Sequence, residues 1–203
     1  MNDKSASNGG AISIQQKGSL SNINDCRFIN NSANSRGGSI YVGTNGVCNI
    51  GTNNLFDSNK AFDRYGYGGA IHSANGIVLG TGNVFVNNFA EKAGNALSSN
   101  ARNSEITGSF CFFMNNTAID NPSLIYSNTA SGVSISLENC YWGDNSPIFS
   151  NFVNQGAFDH DNYLTMSISA NDSVVSGNKV PIMVDFSKNQ NNQTTEVNNL
   201  LNH

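Results

Sequence analysis

Two short phrases alternate along the chain at a nearly fixed interval. One is Phe-x-x-Asn: Phe28-Ile29-Asn30-Asn31, Phe56-Asp57-Ser58-Asn59, Phe85-Val86-Asn87-Asn88 and Phe113-Met114-Asn115-Asn116, with Trp142-Gly143-Asp144-Asn145 as a fifth copy in which Trp replaces Phe. These aromatics are spaced by 28, 29, 28 and 29 residues. The other phrase is Gly-Gly-small-aliphatic: Gly9-Gly10-Ala11-Ile12, Gly37-Gly38-Ser39-Ile40 and Gly68-Gly69-Ala70-Ile71, decaying to Gly94-Asn95-Ala96-Leu97 and Pro122-Ser123-Leu124-Ile125. Its aliphatics are spaced by 28, 31, 26 and 28 residues. A period in this range is the signature of a solenoid or an array, because one unit cannot bury its apolar side without a neighbour stacked on it.

The local pattern selects the kind of solenoid. Each unit holds three short runs with period-two alternation, separated by Gly, Asn and Ser; in the second unit these are Ser39–Val42, Val47–Ile50 and Asn54–Asp57. No segment of 10–15 residues carries apolar residues at helical spacing, and Asn, Gly and Ser are poor helix-interior residues. The expected fold is all-β, a right-handed parallel β-helix of about five coils, with three sheets around a narrow core and coils about 4.8 Å apart. Equivalent residues then stand in columns. Ile12, Ile40, Ile71, Leu97 and Ile125 form an inward aliphatic ladder, and Phe28, Phe56, Phe85, Phe113 and Trp142 an aromatic one. A looser third column uses Leu20, Ile23, Ile50, Ile77, Leu79, Ile106, Ile135 and Leu137. The glycine pairs suit a tight corner without side-chain bulk. The Asn after each aromatic suits the opposite corner, where Asn tolerates left-handed backbone angles and its amide can bond to the Asn one coil away.

Composition bounds the rest. Charged residues are 12 % of 203, about half the usual share of roughly 25 %, so the 36 Asn, the Ser and the 20 Gly must supply the polar surface. A net charge of −4 with ten scattered Lys and Arg excludes a basic stripe for nucleic acid. Residues 1–30 hold no apolar signal-peptide core, and no stretch is long and apolar enough to span a bilayer as a helix. The repeat begins at Asn8-Gly9-Gly10 without a preceding cap, which a solenoid normally needs; the chain therefore reads as part of something longer. The expected organisation is a β-helix over 1–150, a linker over 151–162, a strand pair over 163–187 and a disordered polar tail over 188–203.

At its Gly-Gly-Ala-Ile and Phe-x-x-Asn phrases the chain resembles the polymorphic membrane protein repeat family. It is closer still to the adhesin-like surface proteins of methanogenic archaea, whose Asn-rich repeats are often closed by a phrase like Asn139-Cys140-Tyr141-Trp142-Gly143-Asp144-Asn145-Ser146-Pro147. In those proteins Ig-like domains commonly follow the helix. Here Tyr163–Ser169, the Gly177-Asn178 turn and Val180–Phe186 resemble the opening strands of one. The resemblance implies a non-catalytic stalk or binding module at the cell surface or outside the cell. Its implied partners are surface glycans or surface proteins of another cell, with no nucleic acid and no membrane insertion by this chain.

The competing reading is a carbohydrate-active β-helix enzyme, pectate-lyase-like or polygalacturonase-like, or its inactive relic. Such enzymes mount several Asp, Lys or Arg on adjacent coils of one outer face. Here the position after the inward aliphatic holds Ser13, Tyr41, His72, Ser98 and Tyr126, and the position after the aromatic holds Ile29, Asp57, Val86, Met114 and Gly143. Neither column is an acid/base pair, so no catalytic residue, cofactor or metal ligand is expected. Asp159-His160-Asp161 could be a metal corner, but neighbours in a strand face opposite ways, and a solvated linker is the expectation. The candidate ligand contacts are Asp63, Arg64, Tyr65 and Tyr67, in the longest insertion of the repeat, with the outward Tyr41, His72 and Tyr126. Cys26, Cys111 and Cys140 each precede a ladder aromatic by two residues, in one inward column with Asn54 and Asn83. No pair has metal-site spacing, and buried free thiols are expected, Cys48 being the fourth Cys; Cys111 and Cys140, in neighbouring coils, are close enough for a disulfide in an oxidising compartment. Of four glycosylation sequons, Asn171 and Asn192 are expected to be more accessible than the corner residues Asn30 and Asn115.

Overall fold

A computed structural model describes residues 4–5, 7–100, 105–127, 134–153, 157–170 and 179–195. Every pairing in the repeat region is parallel, and successive partners lie one repeat apart. Ile12 pairs with Ile40, Ile40 with Ile71, Ile71 with Leu97 and Leu97 with Ile125. Phe28, Phe56, Phe85 and Phe113 pair in the same way on another face. The chain is a parallel β-solenoid, and its columns are those the repeat dictates.

Each coil has four faces rather than the three expected. The aliphatic sheet contains Ile12–Ile14, Ile40–Val42, Ile71–Ser73, Leu97–Ser99 and Ile125–Ser127. A six-stranded sheet runs from Ser19–Ile23 to Ala157–Asp159, and the aromatic sheet is Arg27–Ile29, Leu55–Asp57, Val84–Val86 and Phe112–Met114. The fourth sheet consists of two-residue strands, Lys4–Ser5, Ser32–Ala33, Lys60–Ala61, Phe89–Ala90 and Thr117–Ala118. Such a strand turns one small side chain inward, as at the buried Ala33, Ala61 and Ala90, so the sequence offers no alternation to read there. Four turns are complete on every face. In the coil of Trp142, Ile125–Ser127 and Ser134–Glu138 are full strands, the aromatic face is a single bridge from Phe112 to Tyr141, and Val153 beyond it bridges Ile125.

The interior is homotypic. Phe28, Phe56, Phe85 and Phe113 stack with ring centroids 4.9, 4.8 and 5.0 Å apart, and Trp142 adds a fifth ring 5.0 Å from Phe113. The strand spacing sets this distance, which lies in the favourable range for offset aromatic pairs. The two consecutive asparagines divide the work. Asn30, Asn87 and Asn115, with Ser58 in the same place, take left-handed φ values between 52° and 56° and turn the corner outward. The next residue, Asn31, Asn59, Asn88 or Asn116, points inward. The amide Nδ2–H of each donates to the Oδ1 of the next at 2.8, 2.9 and 2.9 Å. Those oxygens also accept the backbone N–H of Asn31, Asn59 and Asn88. The second Nδ2–H of Asn59, Asn88 and Asn116 reaches the carbonyls of Phe28, Phe56 and Phe85. A buried polar group is tolerated when its hydrogen-bonding capacity is filled, and here each amide fills its neighbour's.

At the opposite corner Gly37 has φ +67°, and a Cβ on it would lie 2.0 Å from the Ile40 carbonyl oxygen. A Cβ on Gly38 would lie 2.0 Å from the Gly69 carbonyl oxygen, so the second glycine lets one coil lie on the next.

Pairing recurs on both sides of residues 154–156, within the stretch the sequence suggested as a linker. Ala157–Asp159 pairs with Ser134–Ser136, and Cys140 bridges Tyr163. Trp142 is covered by Phe149, Phe152 and Phe158 at centroid distances of 5.9, 5.6 and 5.5 Å, an aromatic lid over the last core level. Leu164–Ala170 and Ile182–Asn189 then form an antiparallel pair; the Gly177-Asn178 turn lies outside the described residues. Leu164 is buried with Val84, Phe112 and Tyr141, on the outward side of the aromatic sheet. Phe186 places its edge on Phe112 and Tyr141 at 5.1 and 4.8 Å. Among the described residues, no helix is long and apolar enough to cross a membrane.

Candidate binding surface

The outward column on the aliphatic sheet is as the repeat orders it: Ser13, Tyr41, His72, Ser98 and Tyr126 are successive neighbours across the strands. Coils at strand spacing bring large side chains of such a column into contact. The Tyr41 and His72 rings stack at 5.6 Å with 5° between planes. Ser98, too small to continue the stack, instead lies 2.7 Å from His72 Nδ1 through its Oγ.

His72 departs from its expected role as an exposed stacking surface. It is fully buried. Burial, with a smaller contribution from the positive charge of Arg36, lowers its pKa from 6.5 to about 3, so the ring is neutral at ordinary pH. Its Nε2 has no hydrogen-bond partner. The Ser98–His72 contact has the separation of a nucleophile–base pair, but both residues are buried completely.

The inserted loop contributes to the same face through one residue. Tyr67 stacks on Tyr126 with centroids 4.9 Å apart; the pKa of Tyr126 is raised, chiefly by lost hydration and then by Tyr67. Tyr67 is fixed at its backbone, bridging Ala93, with its carbonyl accepting Gly37 N–H at 2.9 Å. The repeat explains the pairing: Ala93 and Ser98 are small residues on the coil between the two tyrosines. Asp63, Arg64 and Tyr65, in the same loop as Tyr67, are exposed. Asp63 has φ +70°, and its N–H donates to Glu91 Oε2 at 2.8 Å. Arg64 lies over the Tyr65 ring at 4.9 Å, a cation–π contact that holds both side chains out together. The seven candidate residues thus form two ring pairs, Tyr41 with His72 and Tyr67 with Tyr126, and a flanking cluster of Asp63, Arg64 and Tyr65. Sequence reading missed the involvement of Arg36 and Ser98; the column position of Ser98 was its only signal.

The other outward column, Ile29, Asp57, Val86, Met114 and Gly143, is mostly apolar in sequence and is used for packing. Val86 and Met114 pack into the cluster that receives the antiparallel strands. Asp57 accepts hydrogen bonds from Ser58 Oγ at 2.7 Å and Asn87 Nδ2 at 3.3 Å. His160 lies flat on Phe149 at 3.9 Å, with Asp159 in a strand. Among the described residues, no three His, Cys, Asp or Glu are placed to hold a metal ion. All four cysteines are free, and Cys111 N–H points at Cys140 Sγ at 3.3 Å. The column of Cys26, Asn54 and Asn83 is a second ladder, with Cys26 N–H on Asn54 Oδ1 and Asn54 N–H on Asn83 Oδ1. Asn30 and Asn115 are exposed rather than held back at the corner, because its left-handed backbone turns them outward. Asn192 is exposed too, and Asn171 lies outside the described residues.

The family model of the Chlamydia polymorphic membrane protein repeat matches residues 25–43. That segment contains Phe28-Ile29-Asn30-Asn31 and Gly37-Gly38-Ser39-Ile40, one aromatic strand, one left-handed corner and the following glycine corner. No curated protein and no solved structure matches the chain.

Proposed function

We propose that the chain is a non-catalytic, adhesin-like module of a cell-surface protein, akin to the adhesin-like surface proteins of methanogenic archaea. Its stacked coils serve as a stiff support for a lateral contact surface. In this reading Leu164–Ala170 and Ile182–Asn189 open an Ig-like unit that follows the solenoid. The partner is a glycan or a surface protein of another cell, met by Tyr41, Tyr67, Tyr126 and the flanking Asp63, Arg64 and Tyr65.

The observation that supports this best is the pairing of Tyr67 with Tyr126 beside an exposed Arg64–Tyr65 contact. Ring faces and a cation held on a rigid sheet lose little conformational entropy on binding, and such residues dominate recognition surfaces. The polymorphic-membrane-protein repeat match agrees with a module of this kind.

The test is binding of the purified chain to whole cells and to an array of surface glycans. The expected result is saturable binding that Tyr65→Ala and Arg64→Ala reduce at least fivefold, with unchanged circular dichroism. Release of sugar ends from an acidic polysaccharide, abolished by one Asp→Asn substitution, would instead establish the enzyme reading.

A further inference from the structure

Two departures from the repeat meet at one cavity. The second glycine of the Gly-Gly phrase, Gly10, Gly38 and Gly69 in earlier coils, is Asn95 in the fourth. The ladder phenylalanine is Trp142 in the fifth. Both residues line a cavity of about 120 Å³ whose other walls include Phe113, Leu124 and Phe152. The exposed Asn115 and Pro122 stand at its rim.

The cavity exists because one face of the solenoid stops early. Among the described residues the sheet of two-residue strands ends at Thr117–Ala118, whereas the other three faces continue. The fifth asparagine of the ladder should be Asn145. It is pulled outward instead, its Nδ2–H donating to Met166 O at 2.7 Å and its Oδ1 accepting Met166 N–H at 2.6 Å. With that rung gone, space opens beneath Asn95 and beside Trp142.

The polar atoms at this space are unusual for a core that satisfies its amides so fully. Asn95 Nδ2 donates to the carbonyls of Asn116 and Pro122, both at 3.1 Å, which fixes the amide orientation. Its Oδ1 is buried and has no partner, and the Trp142 indole Nε1 is buried and has none either. Each residue is only 4 % exposed. A buried acceptor and a buried donor left open cost stability, and both belong to residues bordering the same cavity, which Asn116 also lines.

We propose that this cavity binds a small hydroxylated ligand, a polyol or the hydroxyl-bearing end of a saccharide. A hydroxyl answers both atoms: its hydrogen goes to Asn95 Oδ1 and its oxygen accepts Trp142 Nε1–H. The ligand's C–H surface lies against Phe113, Leu124 and Phe152. An engineered cavity of about 150 Å³ holds benzene, so the space suits a molecule of glycerol size or one edge of a sugar ring. The site is separate from the tyrosine face and does not depend on its function.

Trp142 is the one tryptophan of the chain, so its indole N–H gives a single NMR resonance at the site. The whole chain is titrated with glycerol, with methyl α-D-glucopyranoside and with benzene. The expected result is a saturable shift of that resonance with a hydroxylated probe and none with benzene. Asn95→Gly, which restores the residue of the repeat, should weaken binding about fivefold or more, the scale of one neutral hydrogen bond. Leu124→Phe, which fills the cavity and leaves both polar atoms, should abolish it. Binding of glycerol alone assigns free polyols, and binding of the glycoside assigns a sugar terminus. No saturable shift with either hydroxylated probe would overturn the proposal and leave the cavity to water, as would benzene binding that Asn95→Gly leaves unchanged.

Discussion

His72 occupies a position whose neighbours along the column are tyrosine and serine, and it is the only fully buried titratable ring in that column. The cause is its place between Tyr41, which stacks on it, and Ser98, which is bonded to it. A neutral ring held this way sets a pH dependence whose sign can be worked out. In the folded chain His72 stays unprotonated down to a pKa of about 3, whereas in the unfolded chain it takes up a proton near pH 6.5. The unfolded state binds more protons between those values, so stability is full above about pH 6.5 and falls as the pH drops toward 3. At about 1.4 kcal/mol per unit of pKa difference the loss is of order 4 kcal/mol. Urea unfolding of wild type and His72→Phe at pH 7 and pH 4 measures it. The substitution keeps a ring against Tyr41 and removes the titration, so the variant should lose several kcal/mol less than wild type on acidification. Equal losses would mean that His72 is hydrated in the folded chain.

Elements in this chain are repeats of one another, and what a strand contributes is its rung in each ladder. Asn59 shows the scale of that coupling. Its Oδ1 accepts two donors from Asn31, and its Nδ2 donates to Asn88 and Phe28. Asn59→Ala leaves these buried partners open at two levels, each worth about 1–3 kcal/mol, so a loss of about 3 kcal/mol or more is expected in denaturant unfolding. Lys60→Ala, an exposed neighbour, should change stability by less than about 0.5 kcal/mol. A loss at Asn59 no larger than that at Lys60 would show that the amide ladder is not a main support of the stack. The ladders were legible in the sequence because a fixed period places Phe, Ile and Asn in columns without any knowledge of the backbone. The fourth sheet was not, since a two-residue strand has no alternation. Nor was the split between Asn30 and Asn31, which depends on one left-handed φ rather than on side-chain type. In the binding surface, the column of Tyr41, His72 and Tyr126 was legible for the same reason as the ladders. The burial of His72 and the meeting of Tyr67 with Tyr126 were not, because they depend on how far side chains reach across a small residue on an intervening coil.

The whole molecule is governed by one geometric fact, that identical positions lie one strand spacing apart. The aromatic stack, the amide ladder and the close glycine corners all follow from it. At the C-terminal end the repeat gives way: Phe149, Phe152 and Phe158 cover Trp142, and the antiparallel strands pack outside the aromatic sheet. Methyl NOEs in a sample labelled at Ile and Leu methyl groups test this most directly, because the inward aliphatic column is paired in register along its whole length. Cross-peaks are expected from Ile12 to Ile40, Ile40 to Ile71, Ile71 to Leu97 and Leu97 to Ile125, with none from Ile12 to Ile71, which are two coils apart. Missing cross-peaks between successive members, or contacts that skip a coil, would contradict the in-register parallel stack.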